Sequence, residues 1–352
     1  MFVGCRTLRA TPVFGDHRTL RLRWGKCDMR AVAFDKLGGP EVLEVVDLPE
    51  PEPGEGEVAI EVTWAGVNFA DAKARSAGYR VDALPFRPGL EVSGTVRALG
   101  AGVTGLAVGQ RVFAMLNGRG YAETVVAPAA TTFAVPEALD LRDAAALGTV
   151  LATGYALVHD VARLREGETV LVQGAAGGVG TVTGQLARAA GAGRVFGVVS
   201  RPEKAAHAKE SGYDEVLVGD DFDEQVLRAT DGRGVDVSLD PVGGDSWRRS
   251  VAALARFGRA VSFGNAGDAA PWTVGSAELA ARGLSVAGFS ILGLAAADPA
   301  RLRVLTEQAF REAERSGITI PVTGEFALDD TGEAHRLLES RTSTGKLLLR
   351  IR

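Results

Sequence analysis

Cysteine is almost missing from this chain. Its 352 residues include two, Cys5 and Cys27, both near the start. From residue 28 onward there is none, so no disulfide framework and no thiolate cluster can hold the body together. That usage suits a reducing compartment, and a cytoplasmic protein is expected. Histidine is as sparse: His17, His159, His207 and His335. The last three stand isolated in helical stretches and read as surface or packed residues, not as metal ligands. Also lacking is any run of about 18 apolar residues free of charge, so no membrane span is expected. No basic start leads into an apolar core, as a secretory signal would require.

Acidic residues are scarce in the first 28 positions. Six bases (Arg6, Arg9, Arg18, Arg21, Arg23, Lys26) face two acids there, which leaves −9 on the remainder of a chain whose net charge is −5. A body of that sign repels phosphate backbones and argues against a nucleic-acid partner. The tail has the composition of a transit peptide. Yet Met29-Arg30-Ala31-Val32-Ala33-Phe34 looks like a fresh start running into a strand. Residues 1–28 are therefore expected to be a disordered extension or a start assigned too early.

What is present is an ordinary globular composition, 46% hydrophobic and 24% charged, in a chain long enough for two domains. From 29 to about 150 the signals are β-like. Val58–Trp64, Glu91–Val96 and Arg111–Ala114 are short runs rich in β-branched residues, with glycine and proline turns between, as in a compact barrel. From about 152 the pattern alternates. Strands are expected at 169–173, 194–199, 215–218, 235–239 and 259–263, with helices at about 178–190, 202–211, 222–230 and 246–256. That alternation predicts an α/β fold with a doubly wound parallel sheet. Helices near 299–316 and 330–340 follow.

One loop carries chemistry. The strand Thr169–Gln173 runs into Gly174-Ala175-Ala176-Gly177-Gly178-Val179-Gly180 and then a helix. Glycines there permit a tight turn and bring a pyrophosphate to the amides of the helix start, where the dipole favours negative charge. An NAD-binding domain would place Asp or Glu at the tip of the next strand. This chain has Val199-Ser200-Arg201, with Lys204 one turn later. A hydroxyl and two cations suit the 2′-phosphate of NADPH. Basic residues at a helix N-terminus oppose the dipole, which a bound anion would offset.

With those motifs the chain resembles the zinc-independent quinone oxidoreductase (zeta-crystallin-like) branch of the medium-chain dehydrogenase/reductases. The resemblance spans about 29–352. It rests on Ala65-Gly66-Val67-Asn68-Phe69-Ala70-Asp71, Pro88-Gly89-Leu90-Glu91-Val92-Ser93-Gly94, the glycine loop, Asp240-Pro241-Val242-Gly243-Gly244 and Ser262-Phe263-Gly264-Asn265. It implies a GroES-like catalytic domain at 29–151, a Rossmann domain at 152–292 and a return to the first domain at 293–352. It implies that Asn68 and Thr153 lie at the nicotinamide end and that Ala176, Gly177, Gly178 and Val179 hold the pyrophosphate. Ser200, Lys204 and Arg341 would hold the 2′-phosphate, with Phe263, Gly264 and Asn265 lining the channel. Where some relatives add a tyrosine to the 2′-phosphate pocket, this chain has Gly219.

Zinc-dependent members of the superfamily take Cys, His and acidic ligands from the catalytic domain. Here Asn68 stands in the segment of the ligand cysteine, and the Gly-His-Glu stretch reads Gly89-Leu90-Glu91. No metal is expected. Hydride addition to a simple ketone builds charge on one oxygen and needs a strong acid, whereas a quinone or enone spreads it by conjugation. A zinc-free site therefore points to a conjugated carbonyl. Candidate donors are Tyr79, Asn68 and Lys73, with Asp71 orienting; alternatively Asp71 caps a helix and Tyr79 packs at a loop. An enoyl or enone reductase, and an NADPH-binding protein with a non-catalytic crystallin-like role, are the rival readings. The β-like run Leu284–Leu292 at a sheet edge predicts a homodimer.

Overall fold

A computed structural model describes residues 28–270 and 272–352. The expected N-terminal extension lies outside the described residues, save that Asp28 already belongs to a strand. β1 (Asp28–Ala33) pairs with β2 (Glu44–Pro49). β3 (Glu57–Val67), β4 (Glu91–Leu99), β5 (Arg111–Met115), β6 (Thr124–Pro128) and β7 (Thr132–Ala134) form the antiparallel body of a barrel-like sheet. Both faces of β3 and β4 are largely buried. Val58, Ile60, Val62, Val92 and Val96 fill one core with Tyr121 and Ala122. A helix, α1 (Phe69–Ala77), leaves the end of β3. Asn68 and Asp71 close a capping box at its start, and Gly78 ends it in the left-handed conformation.

The chain then enters α2 (Leu141–Tyr155), started by Asp140, whose carboxylate accepts from the Asp143 amide at 2.7 Å. It continues through a π-helical turn, 156–161. By length and composition this is a helix that could cross a membrane, but most of it is buried in the interior. The sequence pattern does not announce it, and the expected domain boundary at 151/152 falls within it. β8 (Thr169–Gln173), α3 (Gly178–Ala189), β9 (Arg194–Val199), α4 (Ala205–Glu210), β10 (Glu215–Val218), α5 (Phe222–Ala229), β11 (Val235–Asp240), α6 (Gly244–Ala252), β12 (Leu254–Ser262), α7 (Ser276–Arg282) and β13 (Ser285–Gly288) follow. The six strands make a parallel sheet in the order β10-β9-β8-β11-β12-β13. Strand order reverses between β8 and β11, which is where such sheets bind ligands.

Two expectations need correction. The helix expected at 246–256 stops at Ala252. Buried Leu254 and Ala255 start β12 early, with Leu254 paired to Val235 ahead of a register shift. The run 284–292 is not one strand either. β13 ends at Gly288, and Ser290 caps α8 (Ile291–Ala297) by accepting from the Gly293 amide at 3.1 Å. Periodicity alone does not separate a buried strand from a buried helix start.

α9 (Pro299–Ser316) packs on α2. After it, β14 (Val322–Ala327), α10 (Thr331–Glu339) and β15 (Lys346–Arg350) return to the first sheet. β15 lies between β14 and β3, with Leu347 opposite Val67. The end of the chain thus completes the sheet that its first third began.

α2 packs tightly enough to demand a glycine. A Cβ on Gly148 would stand 2.1 Å from the buried Phe113 ring. Alanine's better helix propensity is worth about 1 kcal/mol, while overpacking a core costs about 1–3 kcal/mol. Gly148→Ala is therefore expected to lower stability in urea denaturation, and an unchanged or raised midpoint would show the contact to be soft.

Candidate cofactor cleft and active site

Four loops gather at the carboxyl ends of the parallel strands: 174–177 after β8, Ser200-Arg201 after β9, 241–243 after β11 and 263–265 after β12. Gly174 takes φ 66, and a Cβ on Gly180 would lie 2.2 Å from the Gly174 carbonyl. Glycine at both positions lets α3 begin directly above the strand tip. Amides in the first turn of α3 have no helical acceptor, so Gly178 and Val179 present donors at the dipole's positive end. Ala176 is buried; its carbonyl accepts from the Gly345 amide at 2.9 Å, tying the loop to the residue before β15.

The loop after β11 is shaped by a buried carboxylate. Asp240 accepts from the Val242 and Gly243 amides (2.6 and 2.9 Å) and from the Ser246 and Ser250 hydroxyls. Phe263 donates its amide to the Asp240 carbonyl at 3.0 Å. A Cβ on Gly264 would meet the Pro241 carbonyl at 2.8 Å. Asn265 closes its own turn through Ala269. The 263–265 segment therefore rests on the 240–243 loop beside the strand switch.

At the tip of β9, Ser200 and Arg201 are exposed and Lys204 is half-buried. Burial lowers the Lys204 pKa, and the positive charges of Arg201 and Arg341 lower it further. Arg341, on left-handed backbone after α10 (φ 57), is thus brought to the same corner from 137 positions away in sequence. Among the described residues none of the three forms an ion pair with a carboxylate. Gly219 nearby has φ 99, a conformation a side chain would strain.

The other half of the cleft is built from the catalytic sheet. Asp71 is fully buried. Its carboxylate accepts from the Gly89 amide at 2.9 Å and the Asn68 amide at 3.0 Å, and lies against the Tyr121 hydroxyl. Burial raises its pKa to about 6, against the pull of those two amides. Tyr121 in turn stands 3.5 Å from His335 Nε2, and burial pushes His335 down to about 3. Tyr79 is 46% exposed and, with Asp71, Arg80, Leu90 and Asn117, lines a small surface pocket. Thr153 bonds back to the Thr149 carbonyl of its own helix at 2.7 Å. Lys73 lies over the Phe69 ring and pairs with Asp268, so it bridges from α1 to the loop after β12.

Asn68 is not free. Its Oδ1 accepts from Lys346 Nζ at 2.6 Å and its Nδ2 donates to Glu91 Oε1 at 2.8 Å. Lys346 also pairs directly with Glu91, and both side chains are buried. The second Glu91 oxygen accepts from the Thr149 amide at 3.0 Å. Removing one partner of such a buried pair costs about 3–5 kcal/mol. Sequence reasoning missed Lys346: it starts an apolar strand and carries no motif of its own. Glu91 stands out in the sequence as a member of the Pro88–Gly94 motif and of the altered Gly-His-Glu stretch, neither of which points to an ion pair.

The model of the Alcohol dehydrogenase GroES-like domain family matches residues 54–137, and that of the Zinc-binding dehydrogenase family matches 178–307. The quinone oxidoreductase of Pseudomonas aeruginosa is 36% identical over 91% of this chain and 99% of its own length. Quinone oxidoreductase 1 of Escherichia coli is 32% identical over 90% and 98%. This chain belongs to the quinone oxidoreductase family of the medium-chain dehydrogenase/reductases. The E. coli quinone oxidoreductase solved with NADPH superposes with a TM-score of 0.84 at 32% identity, over 92% of this chain and all of that one. A mycobacterial protein solved with NADPH gives 0.85 at 35% over the same shares. The second family model's name implies zinc, and the donors do not fit it. Leu90 offers no ligand atom, Asn68 has both ends of its amide engaged, and an ammonium already holds Glu91. Zinc would have to displace that buried cation.

The buried Asp71 makes stability depend on pH in a defined direction. Its folded pKa lies above the usual value near 3.9, so its stabilising contribution is full below about pH 4 and is lost as pH rises through about 6. Relative to wild type, Asp71→Asn should therefore gain up to about 3 kcal/mol between pH 4 and 7. Urea denaturation at both values reads the difference; a flat or reversed difference would contradict burial as the cause.

Proposed function

We propose that this chain is a cytoplasmic, zinc-independent oxidoreductase that passes hydride from NADPH to a quinone or a similar conjugated carbonyl. The observation that carries the cofactor is the corner at Lys204. Two guanidiniums press on a half-buried ammonium, and among the described residues none of the three is paired with a carboxylate. Like charges gathered without a counter-ion call for an anion, and the 2′-phosphate of NADPH is a dianion that a strand-tip position would meet. NADP-type cofactors supply the hydride; everything else falls to the protein.

On this reading the first-turn amides of α3 hold the pyrophosphate. Ser200, Arg201, Lys204 and Arg341 hold the 2′-phosphate, and Phe263, Gly264 and Asn265 flank the channel. Asn68 and Thr153 wall the nicotinamide end. Tyr79 is the exposed donor of the acceptor cleft, and Asp71 fixes the start of α1 from beneath. Tyr79, Arg80 and Asn117 offer hydrogen bonds there, which suits an acceptor that spreads its own charge. The relatives named quinone oxidoreductase support the same acceptor class.

Lys204→Ala and Arg341→Ala should each weaken NADPH binding about 10- to 100-fold, the worth of one or two charge-assisted bonds, and leave NADH binding unchanged. Fluorescence titration with both cofactors reads this. Equal losses for both, or a wild-type preference for NADH, would remove the phosphate from that corner. Turnover with a quinone should also survive chelation.

We further propose a homodimer joined at β13. Among the described residues that strand has a partner on one side only, β12, and its Val286 and Ala287 are half-buried. An edge so placed invites pairing with a second copy. Light scattering should give twice the 36.7 kDa of the chain, and Val286→Lys should halve it; a wild-type monomer would refute the arrangement.

A further inference from the structure

Lys346 joins two parts of the molecule that the proposed reaction needs in register. Its main chain belongs to the cofactor side: the preceding Gly345 donates to the Ala176 carbonyl of the glycine loop at 2.9 Å. A Cβ on Gly178 would lie 3.8 Å from the Lys346 side chain and 3.6 Å from the Gly345 carbonyl. So the stem of Lys346 runs along the start of α3. Its ammonium belongs to the other side, bonded to Asn68 Oδ1 at 2.6 Å and to Glu91. Gly345 itself is confined by φ 56 and by the Pro321 carbonyl, 2.2 Å from where its Cβ would be. This segment has little room to move independently of the loop.

We propose that Lys346 is a positioning residue through which occupation of the dinucleotide loop orders Asn68 and Glu91 at the acceptor side. The proposal rests on the cofactor assignment above. A phosphate seated on the amides of Gly178 and Val179 fixes the 174–178 loop. That fixes Gly345, and the buried ammonium then holds the Asn68 amide and the Glu91 carboxylate in one geometry. The coupling element is a contiguous chain of hydrogen bonds with a buried ion pair at its end, which resists continuous deformation.

Hydrogen exchange on the full-length protein tests it with 2′-phospho-ADP-ribose, which has the pyrophosphate but no nicotinamide to touch Asn68 directly. Binding of this fragment, read by calorimetry, checks the cofactor assignment independently. With the fragment bound, the amides of Asn68, Asp71 and Thr149 should exchange about fivefold more slowly or better, the low end of ordinary coupling between sites. Protection confined to the glycine loop would overturn the proposal while leaving the cofactor site intact. In the charge-neutral double variant Lys346→Met with Glu91→Gln, the loop should still be protected and the remote amides should not. Retained remote protection there would also overturn it. That variant should lose about 100-fold in kcat with quinone, as small misplacements do, at little-changed KM for NADPH. If it does not fold, the wild-type exchange pattern alone decides.

Discussion

The buried ion pair of Glu91 and Lys346 constrains more of this molecule than any other contact. A carboxylate without water must have a cation and hydrogen-bond donors on its oxygens. Glu91 takes its cation from the last strand, one donor from the Asn68 side chain and another from the Thr149 backbone. Four segments are thereby fixed to one point: the end of β3, the start of β4, the middle of α2 and the start of β15. Even the residue beside the carboxylate is determined, since a Cβ on Gly66 would sit 2.4 Å from a Glu91 oxygen. This explains why a chain that builds a second domain must come back to finish its first.

The cleft handles positive charge in two opposite ways. At its base the cation is buried and paired, so its role is positional. At the rim Lys204, Arg201 and Arg341 are exposed or half-buried and unpaired, in a body that is otherwise acidic. A protein with 44 acidic residues against 39 basic ones has carboxylates to spare. Among the described residues these three cations form no ion pair, and on the proposed reading they await an anion that arrives from outside. The two arrangements are close in sequence: Arg341 lies on the short connection that leads from α10 to Lys346, the first residue of β15.

Local signals made the Rossmann half legible. Strand tips, the glycine loop and Ser200-Arg201 lie within 35 residues of one another, and each has its meaning where it stands. The family resemblance added Arg341, which sequence distance hides. Other features had no local mark. Gly148, Gly154 and the β-branched residues of α2 weaken its helix signal, and burial against α3 and α9 overrides that weakness. The run after Leu284 is apolar throughout, so only the Ser290 cap divides strand from helix. Lys346 reads as the polar first residue of an apolar strand, and nothing short of the folded sheet brings it to Glu91.

The division of labour among the catalytic-side groups follows from what each has left to offer. Asp71 has a pKa raised to about 6, a shift that elsewhere marks a proton donor. Here backbone amides occupy both its oxygens and it is buried, so its elevated pKa measures the cost of burial instead of a readiness to react. Asn68 has spent both ends of its amide on Lys346 and Glu91. Of the groups expected at the acceptor, Tyr79 has an exposed side chain, and it lines the pocket beside Asp71. Arg80 and Asn117 line the same pocket, so its hydrogen-bond donors are a phenol, a guanidinium and an amide, and Asp71, its one carboxylate, is already engaged by the Gly89 and Asn68 amides. If the acceptor is the conjugated carbonyl proposed above, the hydride's charge is spread over the acceptor's own π-system and these donors need only orient it. On the proposed reading, hydrogen bonds of this kind suffice because the acceptor disperses most of the charge itself.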